Sequence, residues 1–210
     1  MTEVVFDRDE TLDVLCKDKL RIIQKKNGYR FSIDPILLAN FLILKKHERL
    51  LDIGSGCGII PVYLCKKSYG NEMLGIEIQK DLYNVSLKNK TINDCRNVSF
   101  MHGDIKVLAQ LLKQSPFHVV VSNPPYTKEK GGRKSPQHSR LVARYETFLT
   151  LPDLMMTTSS LLFRKGRFYT IYPSRRLGEL IGFARLNSLE LKRLRPIYPR
   201  RDKEANLFLA

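Results

Sequence analysis

Leu51-Asp52-Ile53-Gly54-Ser55-Gly56-Cys57-Gly58 is the stretch that decides the fold. Its three glycines follow a short apolar run, Arg49–Ile53, and precede an amphipathic one, Ile59–Lys66. A strand that turns through glycines into a helix brings its backbone close to a ligand and leaves the helix N-terminus facing it. The same alternation continues downstream. It predicts strands at Met73–Ile78, Val98–Met101, Phe117–Ser122 and Arg167–Tyr172. Helices are expected between them at Lys80–Lys90, Ile105–Lys113 and Phe148–Phe163, and after them at Arg175–Leu186. Two closing strands, Glu190–Ile197 and Ala205–Leu209, are joined by Tyr198–Glu204, too short for a helical crossover, so they should run antiparallel. The expected class is α/β: a doubly wound, mostly parallel, seven-stranded sheet with one antiparallel strand near the C-terminus. Upstream, Arg21–Phe31 reads as a hairpin, and Asp34 as the N-cap of a helix over Pro35–Lys45. Residues 1–48 are then an extension on a core of residues 49–210, within one domain.

The glycine spacing departs from the dinucleotide fingerprint, which would need glycine at Ile59. Glu77 ends the second strand, 23 residues beyond Gly54, where a carboxylate can accept ribose hydroxyls. Asp104 ends the third strand, within reach of an adenine amine. Each acid alone would equally suit a helix cap. Asp52, Glu77 and Asp104 at three successive strand ends, beside the loop of Gly54, Ser55, Gly56 and Gly58, point to a ligand instead. No lysine or arginine enters the loop, and Asp52 would repel a pyrophosphate. A cationic cofactor carrying ribose and adenine fits, and S-adenosylmethionine is that molecule. Ile78 and Ile105, beside two of the acids, complete this part of the expected cofactor site.

After the fourth strand stands Asn123-Pro124-Pro125-Tyr126. A given tetrapeptide arises by chance in such a chain about once in a thousand. At the carboxyl end of a strand beside the cofactor it suits one chemistry. An amine conjugated to a purine is a poor nucleophile, because its lone pair is delocalised into the ring. The Asn123 side-chain oxygen, which also faces the cofactor, and the Pro124 carbonyl would each accept one N–H and aim the lone pair. They would also stabilise positive charge growing on nitrogen. Proline fixes the carbonyl direction, and Tyr126 offers a face for the base. Positioning drives such a transfer, with no histidine base.

The charge agrees with that site. The chain of 210 residues carries 36 Lys and Arg against 21 Asp and Glu, a net +15 that favours a polyanionic partner. Residues 1–100 contribute +3 and residues 101–210 contribute +12. The densest stretch holds Lys128, Lys130, Arg133, Lys134 and Arg140, with Arg144 just beyond, in a Gly- and Pro-containing loop beside the reacting motif. These residues would hold RNA phosphates while a base is inserted. A second basic cluster, Lys192–Lys203, also reads as facing phosphate. At 43% hydrophobic and 27% charged the chain is ordinary for a soluble fold. The longest apolar run, Pro35–Leu44, is too short to span a membrane, and the N-terminus lacks a signal-peptide plan. Cys16, Cys57, Cys65 and Cys95 show no metal-ligand spacing, so reduced thiols, no metal and a cytoplasmic monomer are expected.

The glycine motif with Glu77 resembles that of the class I methyltransferases, and Asn-Pro-Pro-Tyr is similar to the motif of those that act on adenine, guanine or glutamine amides. Glu10-Thr-Leu-Asp13, Gly28 to Leu38 and Ala143-Arg144-Tyr145-Glu146 narrow the resemblance to the bacterial tRNA (adenine-N(6))-methyltransferase family, over nearly the whole chain. That family modifies the adenine 3′ of the anticodon in a valine tRNA. The resemblance implies that Arg30, Phe31, Ser32 and Asp34 close over the methionine end of the cofactor. It assigns Arg144 and Glu146 to the substrate side or a helix start. Pro35 stands where a small residue is expected, and the chain stops at Ala210, where relatives continue with a short basic segment. Rival readings are an rRNA guanine-N(2) or release-factor glutamine methyltransferase, or a non-catalytic RNA-binding module of the same fold. The absence of an N-terminal helical domain argues against the glutamine enzyme. The intact motifs argue against a dead module.

Overall fold

The computed structural model describes residues 6–15, 20–26, 30–67, 70–124 and 149–210. An N-terminal hairpin, β1 (Glu10–Leu15) and β2 (Leu20–Lys25), leads into α1 (Asp34–Phe41). There follow β3 (Leu50–Ile53), α2 (Ile59–Lys66), β4 (Met73–Glu77), α3 (Lys80–Ile92), β5 (Val98–His102), α4 (Ile105–Leu112) and β6 (Phe117–Ser122). Then come α5 (Leu151–Leu161), β7 (Leu162–Pro173), a 3-10 turn at Ser174–Arg176, α6 (Leu177–Leu186), β8 (Arg195–Ile197) and β9 (Leu207–Leu209).

The strand order is β5-β4-β3-β6-β7-β9-β8, parallel except for β9, which is antiparallel to both its neighbours. This is the expected sheet. The chain winds outward from β3 through β4 to β5, then returns to place β6 on the other side of β3. That reversal opens a crevice at the carboxyl ends of β3 and β6.

The central strands are apolar on both faces because both are covered. On one face Leu50, Val119, Val121 and Ile171 pack with Leu38, Ile59, Val62 and Val85 of α1, α2 and α3. On the other, Leu51, Ile53, Ile76 and Val120 meet Ile105 and Ala109 of α4 and Leu154 and Leu161 of α5. Among the described residues no helix is long and apolar enough to cross a membrane.

Several boundaries differ from expectation. The hairpin begins upstream of the expected Arg21–Phe31, which supplies only its second strand: β2 pairs with Glu10–Leu15, while Phe31 packs against the core and its N–H donates to Gln24 Oε1. The first helix stops at Phe41, not Lys45, because Leu42 and Leu44 are buried on either side of exposed Ile43, an extended period-two pattern. Asp34 is not the N-cap. Ile33 holds that place, and Asp34 is the first helical residue, its N–H donating to Ser32 Oγ at 3.3 Å. The helix expected from Phe148 opens at Leu151, behind a reciprocal cap between Thr150 and Asp153. It yields at Leu162 to β7, which is longer than expected and bulges near Phe117–Val119. The strand expected over Glu190–Ile197 shrinks to Arg195–Ile197, since its partner β9 has only three residues.

Candidate active site at the carboxyl edge of the sheet

The loop after β3 turns through Gly54, Gly56 and Gly58, all left-handed, with φ of 72°, 58° and 79°. Gly54 and Ser55 N–H both donate to Ile76 O, which ties the loop to β4. Above Gly54 the space is open: a Cβ there would meet nothing within 4 Å. At Gly58 it would strike the Phe100 ring at 2.5 Å. One glycine leaves room for a ligand; the other lets β5 pack beneath the loop.

Glu77 is 4% exposed, and its carboxylate accepts Gly56 N–H at 2.7 Å and Gln79 N–H at 2.8 Å. Burial raises its pKa, against the pull of those backbone donors. Each carboxylate oxygen keeps a lone pair beyond the bond it accepts. Asp52 is 1% exposed, and neither of its oxygens has a hydrogen-bond partner among the described residues; the same holds for Ser55 Oγ. Burial first, and the charge of Glu77 second, hold Asp52 well above the ordinary carboxylate range. A buried acid left unsatisfied is costly, and a cation at the loop would relieve that cost. Asp104 caps α4 through Lys106 N–H at 2.9 Å, so the cap reading holds for it, with one oxygen left over. Ile78 is half-buried just beyond Glu77, whereas Ile105 is buried in the core beneath the sheet.

Asn123 and Pro124 leave β6 directly beside this loop, since β3 and β6 are paired in parallel. Ser122 Oγ donates to Ile53 O at 2.8 Å, which locks the two strand ends together. A cavity of about 190 Å³ opens beside Pro124, lined by Leu149, Thr150, Tyr172, Arg176 and Glu179. Pro125, Tyr126, Lys128, Lys130, Arg133, Lys134, Arg140, Arg144 and Glu146 lie outside the described residues. Arg30 is paired with the hairpin: its guanidinium donates to Asp13 and to Thr11 Oγ1, each at 2.7 Å. Ser32 and Asp34 instead open α1, which packs against α2.

Sequence reasoning missed Asn89. Fully buried on α3, it accepts Ile23 N–H and donates to Ile23 O and to Cys57 O, joining the hairpin to the floor of the glycine loop. An amide on the helix face shared by Leu82, Val85 and Ser86 was the available signal.

The Methyltransferase small domain family matches residues 32–151, more than half of the chain. The chain belongs to this family. It is 26% identical, over 82% of its length and 72% of the relative's, to the tRNA1(Val) (adenine(37)-N6)-methyltransferase of Pseudoalteromonas translucida. The protein of the same name in Aliivibrio salmonicida is 25% identical over 87% of this chain and 76% of its own. Among solved structures, a predicted O-methyltransferase from Agrobacterium tumefaciens superposes with a TM-score of 0.63 at 18% identity, over 84% of this chain and 78% of that one. NSun6 from Pyrococcus horikoshii, solved with SFG, gives 0.66 at 15% identity, over 86% and 51%. The fold is that of the class I methyltransferases.

Proposed function

We propose that this small-domain methyltransferase transfers a methyl group from S-adenosylmethionine to the N6 amine of an adenine in tRNA. The observation that carries the reading is the junction of β3 and β6, where an open glycine loop over a buried, unpartnered acid adjoins Asn123-Pro124. The names of the relatives support the tRNA adenine substrate, at the nucleotide following the anticodon in valine tRNA. When bound, S-adenosylmethionine supplies an electrophilic methyl on a sulfonium cation. The spare lone pairs of Glu77 suit its ribose hydroxyls, and the free oxygen of Asp104 its adenine amine. Asp52, shut beneath the loop, acts through its charge rather than by contact. Phe31, Ser32 and Asp34 at the start of α1 are assigned to the methionine end. Arg30 is assigned there with them, its guanidinium braced by Asp13 and Thr11.

The substrate side follows from the same edge. The Asn123 side-chain oxygen and Pro124 carbonyl each accept a hydrogen bond from one amine N–H and favour positive charge on nitrogen as it develops; the one surplus proton leaves to solvent after transfer. Pro125 stiffens that carbonyl, and Tyr126 stacks on the base. The cavity beside Pro124 gives a flipped base room. Lys128, Lys130, Arg133, Lys134, Arg140 and Arg144 follow in sequence and hold the backbone phosphates.

The test is transfer from labelled S-adenosylmethionine to separate pools of tRNA, rRNA, DNA and protein from a strain lacking the gene. N(6)-methyladenosine in digested tRNA is expected. Label in methylguanosine or in protein overturns the substrate, and no cofactor binding overturns the enzyme.

A further inference from the structure

The second basic cluster, Lys192–Lys203, divides in two in the structure. Its first half is committed to the body of the protein. Arg193 lies 4.3 Å from the centre of the Phe41 ring and donates to Phe41 O, Arg195 lies 5.3 Å from the same ring, and Lys192 is paired with Glu190. The second half is the β8–β9 connection. There Arg200 and Arg201 are exposed and have no ion-pair partner among the described residues, and the Lys203 ammonium is ion-paired among them only with its neighbour Asp202, at 4.0 Å. Tyr198, at the start of the connection, is 59% exposed.

Topology decides where this connection faces. Ile197 and Leu207 are paired, and Leu207 pairs in turn with Pro173 at the carboxyl end of β7. Ser174 N–H donates to Asn206 O and Asn206 N–H to Ile197 O, so the connection is fastened to the turn after β7. It therefore stands on the same sheet edge as Asn123 and Pro124. From β6 to β8 is three strand spacings, about 14 Å. An aromatic face beside unpartnered cations is the chemistry that binds single-stranded nucleic acid, because every base has a π-face and every link a phosphate.

We infer that the β8–β9 corner is a second RNA contact: a nucleotide flanking the target adenine stacks its base on Tyr198, while Arg200, Arg201 and Lys203 hold the adjoining phosphates. This rests on the reading of the protein as an RNA methyltransferase. It adds a surface far along the chain from Lys128–Arg144, on the side of the site closed by β7.

The test uses the full chain and tRNA. A triple variant, Arg200→Ala with Arg201→Ala and Lys203→Ala, should raise the KM for tRNA about tenfold. It should also lower the slope of log affinity against log salt by about 2, with S-adenosylmethionine affinity unchanged. Tyr198→Ala should weaken tRNA binding about tenfold or more without changing that slope, and Tyr198→Phe should restore it. A control variant removes Arg96 and Lys113, which precede β5 and β6 at the opposite sheet edge. It should leave the slope in place. If the triple variant keeps the wild-type slope, or the control loses as much, the corner is not a contact. A wild-type chain that binds no RNA and methylates none overturns the parent reading along with it.

Discussion

Gly58→Ala and Gly54→Ala separate what the glycine loop does for the fold from what it does for a ligand. At Gly58, φ of +79° costs an L-residue about 1–2 kcal/mol. The added methyl group would also lie 2.5 Å from Phe100 Cζ and 2.9 Å from Cε1. Phe100 has little room to swing aside, because it packs against Gly75 of β4 as well: a Cβ added at Gly75 would lie 2.5 Å from Cδ1 of the same ring. Overpacking of that kind costs about 1–3 kcal/mol, so the whole loss is about 2–5 kcal/mol. At about 2–4 °C per kcal/mol for a chain of this size, the melting temperature should fall by roughly 4–20 °C. Gly54 shares the backbone cost, with φ of +72°, but its methyl group meets open space. Gly54→Ala should therefore lose only about 2–8 °C, while S-adenosylmethionine affinity drops tenfold or more. Thermal unfolding and titration calorimetry read the two effects separately. Phe100→Leu placed on Gly58→Ala should recover part of the loss, a coupling between contacting residues. If Gly58→Ala melts no lower than Gly54→Ala, Phe100 does not support the loop and the packing argument is wrong.

Asn123→Ala should lower turnover at least a hundredfold, the scale of losing a transition-state hydrogen bond, with cofactor affinity nearly unchanged; a large loss of affinity with modest loss of rate would refute the amine-acceptor role. Neutralising Lys128, Lys130, Arg133 and Lys134 should flatten the salt dependence of RNA binding, and an unchanged slope would move the phosphate footprint elsewhere. Asn89→Leu should strip partners from Ile23 N–H, Ile23 O and Cys57 O, at about 3 kcal/mol or more; denaturant melts that match wild type would show the hairpin is held otherwise. Asp52→Asn should stabilise the ligand-free chain near neutral pH. The folded pKa of Asp52 is raised above 3.8, so its stabilising contribution is complete below that value and is lost as pH rises through the raised one. The variant lacks that loss, and equal stability of the two proteins from about pH 4 to pH 8 would refute it.

The sheet was legible because its strands are either wholly buried, as Leu50–Ile53 is, or bounded by glycine and proline. Its one antiparallel strand followed from loop length alone. Boundaries failed where one residue served two periods. Leu42 and Leu44 continue a helical stripe in sequence, yet they are buried as an extended segment once Phe41 has met Tyr169 edge-on at 6.0 Å. Arg30 is a different case. A motif position carries an expected role, but nothing local reveals that Asp13 and Thr11, across the hairpin, will take the guanidinium. Asn89 could be noticed as polar on a buried face, but its partners lie 66 and 32 residues away.

At the acids, capping and the proposed ligand binding are compatible within a single arrangement. Glu77 uses its carboxylate to hold Gly56, and through Gly56 the shape of the loop; Asp104 uses one oxygen to open α4. Each thereby fixes its own rotamer with a backbone donor and keeps lone pairs to spare, the kind of preorganisation that the proposed site needs. Asp52 has no such donor among the described residues. It is held by burial alone, beside a second buried acid, so its neighbourhood favours a proton until a positive charge arrives. A cation is thus the one class of ligand that gains from all three: it finds Asp52 uncompensated, and Glu77 and Asp104 already in position. A neutral adenosine fragment would satisfy Glu77 and Asp104 only. The sulfonium cofactor should therefore bind more tightly than its demethylated, uncharged-sulfur product, and Asp52→Asn should narrow that preference.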